Sequence, residues 1–373
     1  MNDAVAAAAI YYEPDGYDTG RRRLMGRQAA GAGFLAGYAR HGHADPLCCF
    51  TETEALARRF AEQIGAAIAS GTKRQRGVRL LPRDRPDLLA EIGCLYYPSP
   101  VLAPLAWQRR RADQRAYSLC GVTHTTASDT VMEAFGSFLT APLQSWDAVI
   151  CTSQAVRRTV DHVLGEWSGY LAERLGTARA APLLQLPVIP LGVDCASFDT
   201  DPAAGHALRT KLGIADDAVV ALFLGRLTAT AKAHPLPMFR GLETAAQRTG
   251  QSVHLMLVGW FENETDDRAF HAMAAAFAPS VTLHVLDGRD AALRPAAWAA
   301  ADLFTSLSDN IQETFGLTPV EAMAAGKPVV ISEWNGYRET MQDGVQGFMV
   351  PTVAMLAGAG HDLARRYRTG QDS

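Results

Sequence analysis

The sequence is short of three things: long membrane-spanning runs, paired cysteines and net charge. The apolar stretch nearest the amino terminus, residues 4–12, is too short to cross a bilayer and lacks the layout of a signal peptide. The six cysteines include no Cys-x-x-Cys pair, so they give no sign of a zinc knuckle or redox dithiol. We expect buried thiols in a cytoplasmic protein, with attachment to the inner face of the membrane as an open alternative.

The charge balance gives no reason to expect a nucleic-acid partner. The 35 Lys and Arg residues against 39 Asp and Glu residues leave a formal charge of -4. With 48% hydrophobic and 20% charged residues, the composition is that of an ordinary globular protein and excludes a disordered or fibrous chain. At 373 residues, two packed domains are expected rather than one.

Short apolar runs alternate with longer amphipathic ones, which is typical of parallel sheets with crossover helices. Strands are predicted in the first half at 4–12, 46–51, 77–82, 93–98, 119–123, 148–152 and 187–191, and helices at 24–40, 54–70 and 153–175. In the second half they are predicted at 219–224, 253–258, 281–285, 303–306 and 328–332. The polar stretch 198–205 interrupts the pattern, so we divide the chain into domains 1–195 and 196–373, facing each other across a cleft.

Several familiar motifs fail on spacing or are missing. Gly31, Gly33 and Gly37 have the spacing G-x-G-x-x-x-G inside a helical pattern, which does not fit a dinucleotide fingerprint. Asp199 and Asp201 form the one Asp-x-Asp, but they lie next to a proline in the turn-rich stretch. No Walker loop, His-Glu-x-x-His helix or Gly-x-Ser-x-Gly elbow occurs. We therefore predict no cofactor and no metal.

The densest group of polar residues is the run 308–328, SDNIQETFGLTPVEAMAAGKP, which leads from a strand through a helix to another strand. Gly316 lets a ligand approach the backbone, and the free amides of Phe315, Gly316 and Leu317 at the helix start favour a phosphate. Glu313 lies just before that helix. Glu321 has two interpretations: an acceptor for ligand hydroxyls, or the structural end of a Thr-Pro-Val-Glu capping box.

This run resembles the E-x7-E segment of retaining glycosyltransferases of family 4, which have the GT-B fold of two Rossmann-like domains. Further matches occur in the same order along residues 20–350. They are GRQ at 26–28, VTHT at 122–125, TSQAVR at 152–157, VIPLGVD at 188–194, LGRL at 224–227 with Lys232, and GVQGFMVP at 344–351.

The resemblance implies roles for individual residues on the donor side of the cleft. Arg226 and Lys232 would hold the diphosphate of a nucleotide sugar, against the alternative of solvated basic residues on a loop. A bidentate guanidinium and a compact ammonium suit that task, since both stabilise the charge on the departing nucleotide. Glu313 would contact hydroxyls of the transferred sugar, and Glu321 those of the ribose.

In the first domain, the resemblance implies that Gly26 admits the donor's phosphate, that His124 lines the catalytic cleft, and that Gln28 and His124 bind the acceptor. His124 follows a strand, where open α/β sheets place ligands, although a satisfied core histidine is the alternative. The family's loop differs here, because Met25 replaces a glycine. Family members also continue beyond the segment matching 348–351 with further helices, so we expect the second domain to lack the usual final ones.

The resemblance therefore implies a retaining glycosyltransferase that moves a hexose from a UDP-, GDP- or ADP-sugar to a hydroxyl acceptor: a lipid, a glycan or a small molecule. Two alternatives are another GT-B enzyme, such as an epimerase or phosphorylase, and an inactive nucleotide-sugar binding module. Two basic runs, Arg21–Arg23 and Arg109–Arg111 with Arg115, are either solvated faces or contacts to an anionic acceptor or lipid. Trp107 beside the second run would suit a membrane surface.

Overall fold

A computed structural model describes residues 8–19, 26–69, 76–229 and 232–353, together with residues 358, 360, 361 and 365. It contains two parallel sheets of six strands each, with helices packed around both. The predicted α/β architecture of two domains facing a cleft is thereby confirmed. Residues 4–7, 20–25 and most of 354–373, on which parts of the sequence predictions fall, lie outside the described residues.

The first sheet has the strand order β3-β2-β1-β4-β5-β6, and every neighbouring pair is parallel. Its strands are β1 (Ala9–Tyr11), β2 (Leu47–Thr51), β3 (Val78–Pro82), β4 (Cys94–Tyr96), β5 (Ser118–Thr123) and β6 (Ala148–Cys151). Its helices are α1 (Pro14–Tyr17), α2 (Gly26–His41), α3 (Glu54–Ala69), α4 (Ala103–Ala112), α5 (Asp129–Ser137) and α6 (Gln154–Leu175), and a 3-10 helix spans Pro86–Glu91. Apolar side chains cover both faces of the sheet.

The second sheet repeats this order as β12-β11-β10-β7-β8-β9, again with parallel neighbours. Its strands are β7 (Val219–Leu227), β8 (Val253–Phe261), β9 (Val281–Asp287), β10 (Leu303–Ser306), β11 (Val329–Glu333) and β12 (Gly347–Pro351). Its helices are α7 (Pro202–Leu212), α8 (Leu236–Thr249), α9 (Glu264–Phe277), α10 (Leu293–Ala300) and α11 (Leu317–Ala324), with 3-10 helices at Cys195–Phe198 and Asn335–Glu339.

Both sheets are doubly wound, so each has a point where the strand order reverses, at β1/β4 and at β7/β10. In such sheets the loops after the carboxyl ends of the strands leave a crevice at the reversal point, where ligands bind. The two crevices face each other here, because residues from both lie around one cavity. The fold thus places a candidate ligand site between the two domains.

The segment predicted as a strand at 187–191 is not one. It lies along β6 through two isolated bridges, Ala148 to Gln185 and Cys151 to Val188. Proline has no N–H to donate to a ladder, and Pro187 and Pro190 fall within this stretch, which explains why regular pairing stops.

The stretch 198–205, predicted to be irregular, contains the start of α7. The Asp201 carboxylate accepts a hydrogen bond from the Ala203 N–H at 2.9 Å, and Pro202 occupies the first helical position. The helix packs on the second domain: Leu208 lies in its core, and Arg209 contacts Asp302 at 2.6 Å. Asp201 is therefore a helix cap.

Candidate functional site between the two domains

A cleft of about 480 Å³ separates the domains. First-domain residues that line it come from the start of α2 and the loop after β5, and second-domain residues from the ends of β7 to β9, the loop after β10 and the start of α11. The predicted site residues among them are Gly26, His124, Arg226, Lys232, Glu313, Phe315, Gly316, Leu317 and Glu321. The structure thus brings together every predicted site residue except Gln28.

Arg226 stands at the end of β7, where a strand delivers a long side chain into the cleft. Its guanidinium donates to the Gln312 side-chain oxygen at 2.7 Å and to the Glu262 carboxylate at 3.1 Å. The side chain is only 17% exposed, so these two acceptors fix its planar group against the cleft wall.

Lys232 and Glu313 form an ion pair inside the cleft. The Lys232 Nζ lies 2.8 Å from the Glu313 Oε2, and the glutamate side chain is 12% exposed. The Lys232 carbonyl accepts a hydrogen bond from the Ser308 hydroxyl at 3.1 Å, which ties the lysine to the loop that carries Glu313. The site therefore places a cation and a carboxylate side by side, next to the Arg226 guanidinium.

Helix α11 begins at Leu317, and Gly316 is its N-cap, with φ of 102°. A side chain would be strained at this φ, and a Cβ at Gly316 would lie 2.4 Å from the Tyr337 ring. The bare backbone leaves the first N–H groups of α11 open toward the cleft, without partners inside the helix. This arrangement favours an anion.

Glu321 lies one turn into α11, and burial raises the pKa of its carboxyl group to about 7, against a smaller lowering by Arg294. The capping-box interpretation is wrong, because the helix starts earlier than that motif requires. With Gly316 as N-cap, Thr318 is the second helical residue and has no capping role. The Glu321 carboxyl group lines the cleft instead.

His124 follows β5, and its Nε2 is buried without a hydrogen-bond partner. Burial, and to a smaller extent Arg27, lower the pKa of the imidazole to about 4, so the ring is neutral at physiological pH. A neutral ring with an open nitrogen can accept or donate one hydrogen bond to a ligand hydroxyl.

Gln28 does not reach the cleft. It is buried, only 1% exposed, under the first turn of α2, while its neighbours Gly26 and Arg27 line the cavity. Successive helical side chains point about 100° apart, so a shift of one residue decides which of them faces the ligand. The cleft-lining residue of this turn that sequence reasoning missed is therefore Arg27, which pairs with Asp15.

Further cleft residues escaped the sequence analysis. Gly225, Gly259 and Gly288 meet at the ends of β7 to β9, and a Cβ at Gly259 would lie 1.9 Å from the Gly225 carbonyl oxygen. They form a floor without side chains beside Trp260 and Arg294. In the sequence these glycines could have been found only by their position, since each follows the apolar core of a strand.

The second basic run is not one continuous surface. Arg109 is buried and forms a bidentate ion pair with Asp147 at 2.6 and 2.7 Å. Asp147 also accepts the Leu119 and Gln144 N–H groups, each at 2.8 Å. Arg109 thus stabilises the first domain, and the exposed members of the run are Arg110, Arg111 and Arg115. Trp107, 49% exposed, packs under the Arg110 guanidinium.

Among the residues that the structure describes, no three His, Cys, Asp or Glu side chains are grouped as metal ligands, and no helix is long and apolar enough to cross a membrane.

The chain has two domains of Rossmann strand order, and a basic cleft lies between the points where their strand orders reverse. This architecture is the GT-B class of glycosyltransferase folds. Residues 206–359, most of the second domain, match the family Glycosyl transferases group 1. This match covers the motifs at 224–227 and 308–328 and agrees with the resemblance to family 4 drawn from them.

Three sequence relatives illustrate the match. A D-inositol 3-phosphate glycosyltransferase of Geodermatophilus obscurus is 34% identical over 167 residues, 44% of this chain and 36% of the relative. One from Mycolicibacterium gilvum is 30% identical over 64% of this chain and 51% of the relative. A phosphatidyl-myo-inositol mannosyltransferase of Mycobacterium leprae is 29% identical over 53% and 51%. The matches thus span about a third to a half of the relatives' length.

Solved structures share the fold over most or nearly all of the chain. Anabaena Alr3699/HepE in complex with UDP-glucose superposes with a TM-score of 0.59 at 19% identity, covering 98% of this chain and 90% of that one. The catalytic domain of starch synthase IV from Arabidopsis thaliana, bound to ADP and acarbose, gives 0.51 at 18% identity over 78% and 69%. At these identities the likeness extends to the fold alone.

Proposed function

We propose that the protein is a retaining glycosyltransferase that moves a hexose from a nucleotide-diphosphate sugar to a hydroxyl acceptor. The observation that carries this proposal is the meeting of Arg226, Lys232, Glu313 and the start of α11 in one cleft. Two cations and a helix N-terminus suit a diphosphate, and the adjacent carboxylate suits sugar hydroxyls.

In the proposed reaction, the acceptor oxygen bonds to the anomeric carbon on the face from which the diphosphate leaves. The bond from that carbon to the phosphate oxygen breaks, and the departing phosphate accepts the proton of the acceptor hydroxyl. Arg226, Lys232 and the α11 amides stabilise the charge that develops on the nucleotide. Glu313 orients the sugar, and Glu321 accepts hydrogen bonds from the ribose. No enzymic nucleophile is required.

The acceptor side favours a hydroxyl compound that carries an anionic group. Arg27 places a guanidinium at the cleft beside the neutral ring of His124. The relatives named above are called D-inositol 3-phosphate glycosyltransferase and phosphatidyl-myo-inositol mannosyltransferase, and both names refer to a phosphorylated polyol. We propose an acceptor of this kind, in which Arg27 holds the phosphate and His124 the reacting hydroxyl.

A lipid acceptor would bring the protein to a membrane surface, and an exposed patch fits that contact. Trp107, Arg110, Arg111 and Arg115 lie on or next to α4, where an indole and three cations can meet anionic headgroups. Cosedimentation with phosphatidylglycerol vesicles, weakened in an Arg110→Glu, Arg111→Glu variant, would support this contact. Equal binding of that variant would refute it. Cytoplasmic location stays a prediction.

Product analysis tests the reaction. The protein is incubated with UDP-glucose, GDP-mannose or ADP-glucose, with and without D-inositol 3-phosphate or phosphatidylinositol. We expect a glycoside only when an acceptor is present, and NMR of its anomeric proton should show the configuration of the donor. Lys232→Ala should abolish the product, whereas Lys211→Ala, an exposed lysine of α7, should not.

The alternatives give different products. An isomerised sugar nucleotide without an acceptor would indicate an epimerase, and a sugar phosphate formed with inorganic phosphate would indicate a phosphorylase. Nucleotide binding without turnover would indicate a binding module.

A further inference from the structure

The loop between β10 and α11 carries Glu313 on the second domain, but part of its backbone is held by the first domain. The Thr126 hydroxyl donates to the Ile311 carbonyl at 2.8 Å, and the Ser153 hydroxyl donates to the Thr314 carbonyl at 2.7 Å. These two carbonyls stand on either side of the Gln312–Glu313 dipeptide. Two first-domain hydroxyls therefore bracket the residue proposed to orient the sugar.

Of the two bracketing contacts, that of Ser153 is buried and that of Thr126 partly buried, and a third contact joins the same segments. Thr126 is 3% exposed and Ser153 1%, so water has little access to either hydroxyl donor. In the opposite direction, the Thr314 hydroxyl donates to the His124 carbonyl at 3.2 Å. Neither Thr126 nor Ser153 lines the cleft, so each would act on a ligand only through the loop.

The second domain holds the same loop at other points. The Trp334 indole donates to the Asn310 carbonyl at 3.2 Å, and the Gly336 N–H donates to that of Glu313 at 3.4 Å. The Ile311 carbonyl receives a longer hydrogen bond of 3.5 Å from the side-chain amide of Asn335 in the second domain. The short contacts to the carbonyls of Ile311 and Thr314 thus come from across the cleft.

A fourth contact fixes the end of the helix that carries Ser153. The Glu339 carboxylate of the second domain accepts the Gln154 and Ala155 N–H groups at 2.7 and 2.8 Å, at the first turn of α6. Ser153 is the N-cap of that helix and accepts the Val156 N–H at 3.1 Å. The position of the Ser153 hydroxyl is therefore set from both domains.

We propose that Thr126 and Ser153 are positioning residues of the transfer reaction, which place Glu313 against the donor sugar when the two domains are docked. This inference rests on the proposed function and adds that the first domain controls the donor sugar, not only the acceptor. A displacement of the order of 1 Å at a substrate-positioning group can lower a rate by about a hundredfold. The diphosphate contacts lie in the second domain, so nucleotide affinity should be preserved.

The test uses Thr126→Val, which removes the hydroxyl and keeps the shape of the side chain, and Thr126→Ser, which keeps the hydroxyl. The control is Thr152→Val, since the buried Thr152 hydroxyl donates at 3.3 Å to the Thr123 carbonyl within the first domain. Ser153→Ala is less informative because it also removes the cap of α6.

Three quantities are measured on the full chain: hydrogen exchange of the amides at 311–316, affinity for UDP, GDP and ADP, and sugar release. Sugar release is followed as the nucleotide diphosphate formed from UDP-glucose, GDP-mannose or ADP-glucose in the presence of D-inositol 3-phosphate or phosphatidylinositol as acceptor. For Thr126→Val we expect hydrogen exchange at 311–316 to be at least about tenfold faster and sugar release at least about tenfold slower than in the wild type. Nucleotide affinity should stay within about twofold of the wild-type value. Thr126→Ser and Thr152→Val should resemble the wild type.

Unchanged exchange at 311–316 in Thr126→Val, or an equal change in Thr152→Val, would overturn the positioning role. Faster exchange with undiminished sugar release would also overturn it. Absence of sugar release from the wild type with all three donors would instead overturn the proposed function, and the exchange result would then decide alone whether the first domain holds the loop.

Discussion

The protonation of Glu321 should set how nucleotide affinity depends on pH. Burial raises the pKa of this carboxyl group to about 7, with an opposing contribution from Arg294. If the carboxylate accepts hydrogen bonds from ribose hydroxyls, only the ionised form binds well. Nucleotide affinity should therefore weaken as the pH falls through 7.

The size of the effect follows from the pKa. For a group with a pKa of about 7, the ionised fraction falls from about nine-tenths at pH 8 to about one-tenth at pH 6. The association constant for the nucleotide should fall about tenfold over that interval. Replacing Glu321 by glutamine, which cannot ionise, should remove this part of the pH dependence.

The assay is calorimetric titration with the nucleotide diphosphate at pH 6, 7 and 8. A nucleotide phosphate also titrates near pH 6, so the ratio of wild-type to Glu321→Gln association constants is compared, because the ligand's own protonation cancels in it. Arg294→Ala should move the midpoint to a higher pH, since the guanidinium lowers the carboxyl pKa. Equal pH profiles for wild type and Glu321→Gln would refute the ligand role of this carboxylate.

Three further predictions concern stability and the anion site. Gly316→Ala should weaken nucleotide binding at least about tenfold, because left-handed backbone costs a side chain about 1–2 kcal/mol and the Cβ would lie 2.4 Å from a tyrosine ring; titration measures this. Asp147→Ala should lower the free energy of unfolding by about 3–5 kcal/mol in urea titrations, because it leaves Arg109 buried without its partner. His254 and His284 lie 3.0 Å apart, and mainly burial lowers both pKa values. The unfolded chain therefore binds more protons, and the pair's contribution to stability, present above pH 6.5, should be lost as the pH falls; urea unfolding at several pH values measures the slope.

Matched controls separate these effects from general disruption. Gly326 also has a positive φ, but a Cβ added there would have no atom within 4 Å. Gly326→Ala therefore measures the cost of the backbone strain alone, without a steric clash. Asp161→Ala removes an exposed partner of Arg157 and should cost under about 1 kcal/mol. Equal effects of variant and control would contradict the corresponding prediction.

The alternation of apolar runs was sufficient to predict eleven of the twelve strands, because parallel strands buried on both faces are continuous apolar segments. β12 was missed as a strand, since its residues were noted only as a motif. The second-domain residues of the cleft were predicted from the family resemblance, and the parallel sheet explains why they meet. Arg226 ends one strand and Glu313 follows another, and carboxyl ends of parallel strands meet at one edge.

The acceptor side was less predictable because it depends on helix rotation and long-range pairing. Whether Arg27 or Gln28 faces the cleft is decided by where α2 packs, and the sequence pattern leaves that angle open. Arg109 lies in a run of three arginines, yet its partner Asp147 is 38 residues away. Thr126 lies in none of the motifs, and Ser153 lies in TSQAVR without a role assigned there, because the contacts of both hydroxyls with the loop form only between the two domains.

The most direct test of the donor site is calorimetric titration of the protein with UDP, GDP and ADP in EDTA, beside an Arg226→Ala, Lys232→Ala double variant and the Lys211→Ala control. Hydrogen bonds between charged groups contribute about 1.5–3 kcal/mol each, so losing two should weaken binding by at least about a hundredfold. We predict that one nucleotide binds without metal, equally well in the control and at least a hundredfold more weakly in the double variant. Binding of none of the three, or equal binding by the double variant, would contradict a diphosphate site at Arg226 and Lys232.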